Sequence, residues 1–222
     1  MPFTIEQFLD TMELYNKSIW PLQIAFNTLA LIMIFFLFKN STTGNKFISA
    51  SLGFFWLWMG IVYHLVFFTQ INNAAYGFGI IFIIQGLLFL YFGLIKVDLQ
   101  FSLRKDWLGI LSGIFILYAL LIYPILGHYF GHTFPRNPTF GLPCPTTIFT
   151  FGLLLFTIKR VPWYLIIIPF IWSLIGTSAA INLTIYEDFG LGIAGIVGFI
   201  VLLITNKKRS NFIDRIFYEE GC

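Results

Sequence analysis

Residues 74–95 read AAYGFGIIFIIQGLLFLYFGLI and contain no charged side chain along their whole length. At 1.5 Å per residue, a helix of this length crosses the roughly 30 Å hydrocarbon core of a bilayer. Similar blocks recur along the chain, of whose 222 residues 58% are hydrophobic and only 10% are charged. A soluble domain carries about a quarter charged residues. The sequence therefore predicts an all-α integral membrane protein whose main partner is the lipid bilayer.

Seven blocks of this kind predict a seven-transmembrane-helix bundle. The fifth block is short unless its helix begins within the proline-rich stretch Phe140–Pro145. Gly79, Gly86 and Gly93 recur every seven residues in the third block, a pattern typical of closely packed membrane helices. The spans are expected at Ile19–Phe38, Phe47–Phe68, Ala74–Ile95, Trp107–Leu126, Pro145–Ile158, Trp163–Leu183 and Phe189–Thr205.

Segments outside the spans complete the predicted organisation. Residues 1–18 predict an N-terminal amphipathic helix, in which Thr4 and Gln7 form a capping-box signature. This helix either lies in the membrane interface or extends the bundle and packs on it. The transmembrane domain covers residues 19–205, and residues 206–222 form a basic cytoplasmic tail. A short interfacial helix in that tail would present Phe212, Ile213, Ile216 and Phe217.

The basic residues predict the orientation of the bundle. Of the 13 lysines and arginines, only Lys17 and Arg136 lie on the same side as the N-terminus. The positive-inside rule places the basic connections in the cytoplasm. We therefore expect a multi-pass protein of the inner (plasma) membrane, with the N-terminus outside and the C-terminus inside. The remaining basic residues are Lys39, Lys46, Lys96, Arg104, Lys105, Lys159, Arg160, Lys207, Lys208, Arg209 and Arg215.

Polar and reactive side chains gather at the predicted outer face. His64 lies one turn from the outer end of the second span. An ionisable group there normally faces the bundle interior or a wet cavity. Alternatively, the imidazole reaches the interface and hydrogen-bonds to a neighbouring helix. Amides within spans likewise either line a polar cavity or join helices. The predicted binding site comprises His64, Tyr63, Asn72, Asn73, Gln85 and Asn27.

A transition-metal site is a further possibility at this face. His128 and His132 are four residues apart, so a helical turn would place both imidazoles on one side. Imidazole and thiolate are ligands for zinc and copper. The competing interpretation is that these are structural or solvated histidines. The candidate ligands are His64, His128, His132 and Cys144.

The stretch Pro138–Thr147 has three prolines within eight residues, which argues against regular helix. A re-entrant segment that dips into the outer leaflet is one interpretation. Thr146 and Thr147 would then cap the fifth span.

Several strings carry a family resemblance that covers nearly the whole chain. They include Phe3-Thr-Ile-Glu-Gln-Phe8, Ile71-Asn-Asn-Ala-Ala75, Pro138-Thr-Phe-Gly-Leu-Pro-Cys-Pro-Thr-Thr147 and Ile168-Pro-Phe-Ile-Trp-Ser-Leu-Ile-Gly176. Together they resemble a bacterial family of multi-pass membrane proteins known as a domain of unknown function, number 6064. The resemblance implies a bacterial inner-membrane protein, and it brings no activity and no functional residues.

The sequence predicts a non-enzymatic protein that binds or transports a small solute or ion through an outward-facing polar cavity. One alternative is a membrane-embedded metal-dependent hydrolase that uses His64, His128 and His132 with zinc or copper. Another is an accessory subunit of a larger membrane complex, with the chain acting as a homo-oligomer or beside a partner. The basic residues lie in short clusters between spans, which does not resemble a nucleic-acid footprint.

Overall fold

The computed structural model describes residues 2–219, and it describes side chains as far as residue 209. Over that part of the chain the backbone forms helices joined by turns and short connections, with no extended β-strand. The helices are α1 (Ile5–Ile19), α2 (Leu22–Lys39), α3 (Thr42–Gln70), α4 (Ala75–Ile95), α5 (Trp107–Tyr129), α6 (Pro143–Leu155), α7 (Tyr164–Leu183) and α8 (Phe189–Glu219). π-Helical turns occur in α3, α4 and α5, at Met59–Phe67, Tyr91–Ile95 and Tyr118–Ile122.

Six segments of the described chain are long and apolar enough to cross a membrane, and they correspond to α2, α3, α4, α5, α7 and α8. This agrees with the prediction of an all-α membrane protein. The predicted fifth span corresponds to α6, which has 13 residues. A helix needs about 20 residues to span a bilayer unaided. The count of seven spans therefore stays a prediction.

α6 lies inside the bundle. All of its residues except Cys144 are buried, and it packs against α5, α7 and α8. On another side, the indole N–H of Trp56 in α3 donates to Thr150 Oγ1 at 3.1 Å. Because protein surrounds this helix, the thickness of the hydrocarbon core does not set its length.

The connections between helices collect at two ends of the bundle. The basic end comprises the residue ranges 40–41, 96–106, 156–163 and 206–209. The acidic end comprises α1 and the residue ranges 71–74, 130–142 and 184–188. Contacts within each end join distant parts of the chain. Leu103 N–H donates to Leu37 O at 3.2 Å at the basic end. At the acidic end, His132 Nδ1 lies 2.6 Å from Glu187 Oε1.

Glycines bring α3 and α4 into close contact. An ideal Cβ on Gly60 would lie 2.9 Å from Gly79 O, and one on Gly86 would lie 2.9 Å from Gly53 O. Both distances are too short for a real Cβ, so only glycine fits without movement of a helix. The predicted packing role of the α4 glycines is confirmed.

α1 begins with the predicted capping box. Thr4 Oγ1 accepts from Gln7 N–H at 3.3 Å, and the Gln7 side chain accepts from Thr4 N–H at 2.9 Å. The apolar face of α1 packs on α3, where the Tyr15 and Tyr63 rings meet edge to face at 5.4 Å. Of the two predicted placements for this helix, the membrane interface or the surface of the bundle, the structure shows α1 packed on the bundle. The predicted apolar face of the tail lies outside the described side chains, at Phe212, Ile213, Ile216 and Phe217.

Candidate functional site

The segment Pro138–Thr147 contains a helix start, as predicted for a fifth span that begins within Phe140–Pro145. α6 begins within it, at Pro143, because the first turn of a helix tolerates proline. The two threonines therefore lie inside the helix and do not cap it. Thr147 Oγ1 donates to Pro143 O at 2.7 Å, one turn earlier. Thr146 Oγ1 accepts from Gly141 N–H at 3.1 Å. The residues before the helix are largely buried, and they form one wall of a cavity.

This cavity, of about 450 Å³, lies at the acidic end of the bundle. α1 covers one side of it, and the ends of α3, α5 and α7 supply most of the remaining wall. The surface of the cavity is mostly apolar. Its aromatic side chains are Phe3, Phe8, Tyr63, Phe68, Phe78, Tyr123 and Trp172. Its polar side chains are Asn72, Cys144, Ser178 and Asp188.

Asp188 places a carboxyl group in this apolar wall. The residue is 3% exposed, and the Tyr123 hydroxyl donates a short hydrogen bond to Asp188 Oδ1. The Cys144 side chain lies beside the same carboxyl. A few convergent polar groups in an otherwise apolar cavity are typical of sites that bind and orient a small molecule.

Glu187 lies next to Asp188 in the chain and is also buried. A 3₁₀ turn, Tyr186–Asp188, precedes α8 and directs both carboxyl groups into the protein. Glu187 Oε1 lies 2.6 Å from His132 Nδ1, and Oε2 has no hydrogen-bond partner within the described residues. In that part of the chain, neither carboxylate forms an ion pair with lysine or arginine. The two buried carboxylates therefore have different partners, the His132 imidazole for Glu187 and the Tyr123 hydroxyl for Asp188.

His64 lies behind the cavity wall. Its ring is fully buried, with centroids 4.6 Å from Phe82, 5.1 Å from Trp172 and 5.2 Å from Tyr63. Neither ring nitrogen has a hydrogen-bond partner among residues 2–209. Burial of a polar group without a partner is costly. His64 thus occupies the bundle interior, next to four aromatic residues that line the cavity, namely Tyr63, Phe68, Phe78 and Trp172.

The structure separates the other predicted binding residues. Tyr63 and Asn72 line the cavity, whereas Asn73, Gln85 and Asn27 do not. Asn73 is exposed. The side-chain amide of Gln85 donates to a backbone carbonyl of α7 at 3.2 Å, and that of Asn27 donates to a carbonyl of its own helix at 2.8 Å. The Gln85 amide therefore links α4 to α7, the Asn27 amide bonds within its own helix, and neither reaches the cavity.

The four predicted metal ligands do not come together. His64 lies among aromatic rings, His128 is exposed, and His132 and Cys144 contact different carboxylates. α5 ends at Tyr129, so the helical turn that would align the two loop histidines does not form. In the described part of the chain, no group of three or more His, Cys, Asp or Glu could hold a metal ion.

Arg136 holds α1 in place over the cavity. Its guanidinium forms ion pairs with Glu6 at 3.2 Å, with Glu13 at 2.9 Å and with Asp10. Hydrogen bonds from Lys17 and then from Arg136 lower the pKa of Glu13 below its ordinary value. These groups are partly or largely exposed, so salt screens the attachment.

Sequence reasoning places Glu187 and Asp188 at this face but not in the predicted binding site, and it does not single out Tyr123 or Trp172. Glu187 and Asp188 gave a signal, since they form an acidic pair directly before the last apolar block. Tyr123 and Trp172 gave none, because the chain is 20% aromatic and such residues occur throughout it.

Comparison with known proteins gives one family. The model of the Family of unknown function (DUF6064) matches residues 5–213, a range that includes α1, every residue named at the cavity except Phe3, and most of α8. No curated protein and no solved structure matches the chain.

Proposed function

We propose that this chain, which belongs to DUF6064, a family of unknown function, binds or transports a small organic cation. Family membership assigns no activity, so the proposal rests on the geometry and charge of the site. The observation that carries the proposal is the charge of the cavity. Asp188 lines the cavity, Glu187 is buried beside it in the chain, and neither carboxylate pairs with lysine or arginine within the described residues.

The electrostatic argument concerns the cost of burying charge. An ionised carboxylate in apolar surroundings costs several kcal/mol unless a cation or several donors compensate it. A bound cation next to Asp188 would supply that compensation, so the site is more stable with a cation than without one. An anionic ligand would meet the Asp188 carboxylate, with Glu187 next to it in the chain, and would be repelled.

The aromatic wall indicates the kind of cation. A cation over the face of an aromatic ring gains about 0.5–2 kcal/mol, more when water is excluded. Magnesium and calcium ions instead need several oxygen ligands. The cavity volume also falls within the roughly 300–1,000 Å³ of small-molecule sites. These features favour an ammonium group that carries an apolar substituent.

The charge pattern supports an outward orientation for this cavity. Lysines and arginines concentrate at the basic end, which the positive-inside rule places in the cytoplasm. In the arrangement that we propose, α6 provides a seventh crossing within the bundle of a bacterial inner-membrane protein. The cavity then faces the extracytoplasmic side, and α1 covers it there.

The test measures binding to the purified protein in detergent. Tetramethylammonium, choline and benzyltrimethylammonium form a series of increasing apolar surface, and 3,3-dimethylbutan-1-ol is the neutral isostere of choline. Quenching of intrinsic tryptophan fluorescence reports binding, because Trp172 lines the cavity. We expect affinity to rise along the series, and the neutral isostere to bind at least tenfold more weakly than choline.

Asp188→Asn provides the decisive variant. Asparagine keeps an oxygen to accept from Tyr123 and removes the charge, so cation affinity should fall at least tenfold. Asp98→Asn at the basic end is the matched control and should leave affinity unchanged. Equal affinity for choline and its neutral isostere, or full affinity in Asp188→Asn, would contradict the proposal.

A further inference from the structure

The basic end of the bundle contains a second cavity, of about 690 Å³. It lies between the start of α5, the connection from α6 to α7, and α8 near residue 209. Five cationic side chains line it, namely Arg104, Lys159, Arg160, Lys208 and Arg209. Two acidic side chains, those of Asp98 and Asp106, also line it.

One cation and one acid in this cavity neutralise each other. Arg104 Nε donates to Asp106 Oδ1 at 2.8 Å, and the second nitrogen of the guanidinium contacts the other carboxylate oxygen. Asp106 also caps α5 by accepting from Gly109 N–H at 3.2 Å. This pair is therefore structural, and the remaining groups decide what the cavity attracts.

Four cationic side chains and the carboxylate of Asp98 remain, so the cavity has a net positive charge. Lys159, Arg160 and Lys208 are exposed and form no ion pair within the described residues. Arg209 is partly buried and donates to the carbonyl oxygens of Thr157 and Lys159, which fixes its guanidinium at the edge of the cavity. Such a cluster attracts phosphate, because lysine and arginine donate charge-assisted hydrogen bonds to its oxygens.

The walls of the same cavity favour a lipid over a soluble phosphate ester. Trp107, Ile158 and Ile204 line it and are 59%, 47% and 51% exposed. Trp107 begins α5 and Ile204 lies in the apolar part of α8, so these side chains are at the flank of membrane-length helices. Tryptophan is typical of the membrane–water interface, and basic cavities between membrane helices bind phosphate headgroups.

We propose that this cavity binds the headgroup of an anionic phospholipid. The phosphate lies among Lys159, Arg160 and Lys208, and the acyl chains follow Trp107 and Ile204 toward the hydrocarbon core. The site is separate from the cavity at the acidic end and does not depend on the function proposed for it.

The test uses short-chain lipids and detergent-purified protein that has been freed of native lipid. Dioctanoyl-phosphatidylglycerol, dioctanoyl-phosphatidylcholine and glycerol 3-phosphate are compared by microscale thermophoresis. We expect phosphatidylglycerol to bind at least tenfold more tightly than either of the others. Equal binding of phosphatidylcholine would overturn the role of charge. Equal binding of glycerol 3-phosphate would overturn the lipid assignment in favour of a soluble phosphate ester.

Paired variants locate the site. Each basic residue near an anionic headgroup contributes roughly fivefold in affinity, so Lys159→Gln/Lys208→Gln should weaken phosphatidylglycerol binding about thirtyfold. Lys46→Gln/Lys96→Gln removes the same charge from residues that do not line the cavity and should weaken phosphatidylglycerol binding less than about threefold. If the first double variant does not fold, Arg160→Gln alone should give a roughly fivefold loss. An equal loss in the control pair, or no loss in Arg160→Gln, would overturn the site.

Discussion

Replacing Gly60 with alanine tests the contact that positions Tyr63 and His64 at the cavity. Gly60 lies in the π-helical turn of α3 and faces α4. An ideal Cβ at this position lies 2.9 Å from Gly79 O and 3.0 Å from Ile83 N. Both are backbone atoms, so a rotamer change cannot relieve the clash. α3 and α4 have to move apart in this variant.

Two opposing effects set the magnitude. Overpacking of a close contact costs about 1–3 kcal/mol. Replacement of glycine by alanine within a helix gains about 0.5–1 kcal/mol of helix propensity. Gly77→Ala is the matched control, because within the described residues no atom of another part of the fold lies within 4 Å of its ideal Cβ. The control receives the propensity gain alone, so Gly60→Ala should be about 1–3 kcal/mol less stable than Gly77→Ala.

Thermal unfolding followed by tryptophan fluorescence measures this difference. In a chain of this size 1 kcal/mol corresponds to about 2–4 °C, so Gly60→Ala should melt about 2–12 °C below Gly77→Ala. Cation binding should weaken in Gly60→Ala alone, since Tyr63 lines the cavity. A Gly60→Ala protein that melts at or above the control would refute the close approach of the two helices.

Three further predictions concern the acidic end. At pH 8 and without ligand, Asp188→Asn should raise stability by about 1–4 kcal/mol, because it removes a buried charge; a lower melting temperature would argue against an uncompensated carboxylate. Tyr123→Phe should lower the free energy of unfolding by about 1–3 kcal/mol, because it removes the hydrogen-bond donor to Asp188. The control is Tyr91→Phe, which should be near neutral in the same melting assay, since the Tyr91 hydroxyl makes no hydrogen bond in the described part of the chain. The lowered pKa of Glu13 means that its ion pairs stabilise the protein above pH 4.5, the ordinary pKa of glutamate, and that this stabilisation is lost as the pH falls through the lower pKa of the folded state. The melting temperature of Arg136→Gln should therefore fall less steeply below pH 4.5 than that of the unaltered protein. Parallel melting curves would contradict this.

The helices could be predicted because hydropathy is a local property of the chain. Residues 74–95 identify a membrane helix without reference to any other residue. Helix ends near prolines were harder to predict. α6 begins at Pro143, within the stretch Phe140–Pro145 that the sequence allowed, because the missing N–H of proline costs nothing in the first turn.

The centre of the site depends on contacts that no local pattern encodes. His132 and Glu187 are 55 residues apart, and Tyr123 and Asp188 are 65 apart. His64 was identifiable because an ionisable group in an apolar block is rare, and the structure places it beside the cavity wall. Its partners in that wall come from other helices, so their identity required the packing of the bundle.

Protein covers almost every side of α6, and this affects how the chain enters the membrane. The ribosome delivers α6 before α7 and α8, which later cover it. Thr147 and Thr150 donate to carbonyls one turn earlier, so their hydroxyls do not depend on water during that interval. A helix of 13 residues is too short for the hydrocarbon to retain by itself. We therefore expect α6 to insert as a hairpin with a neighbouring helix, which makes biogenesis of this protein a cooperative event and not a series of independent insertions.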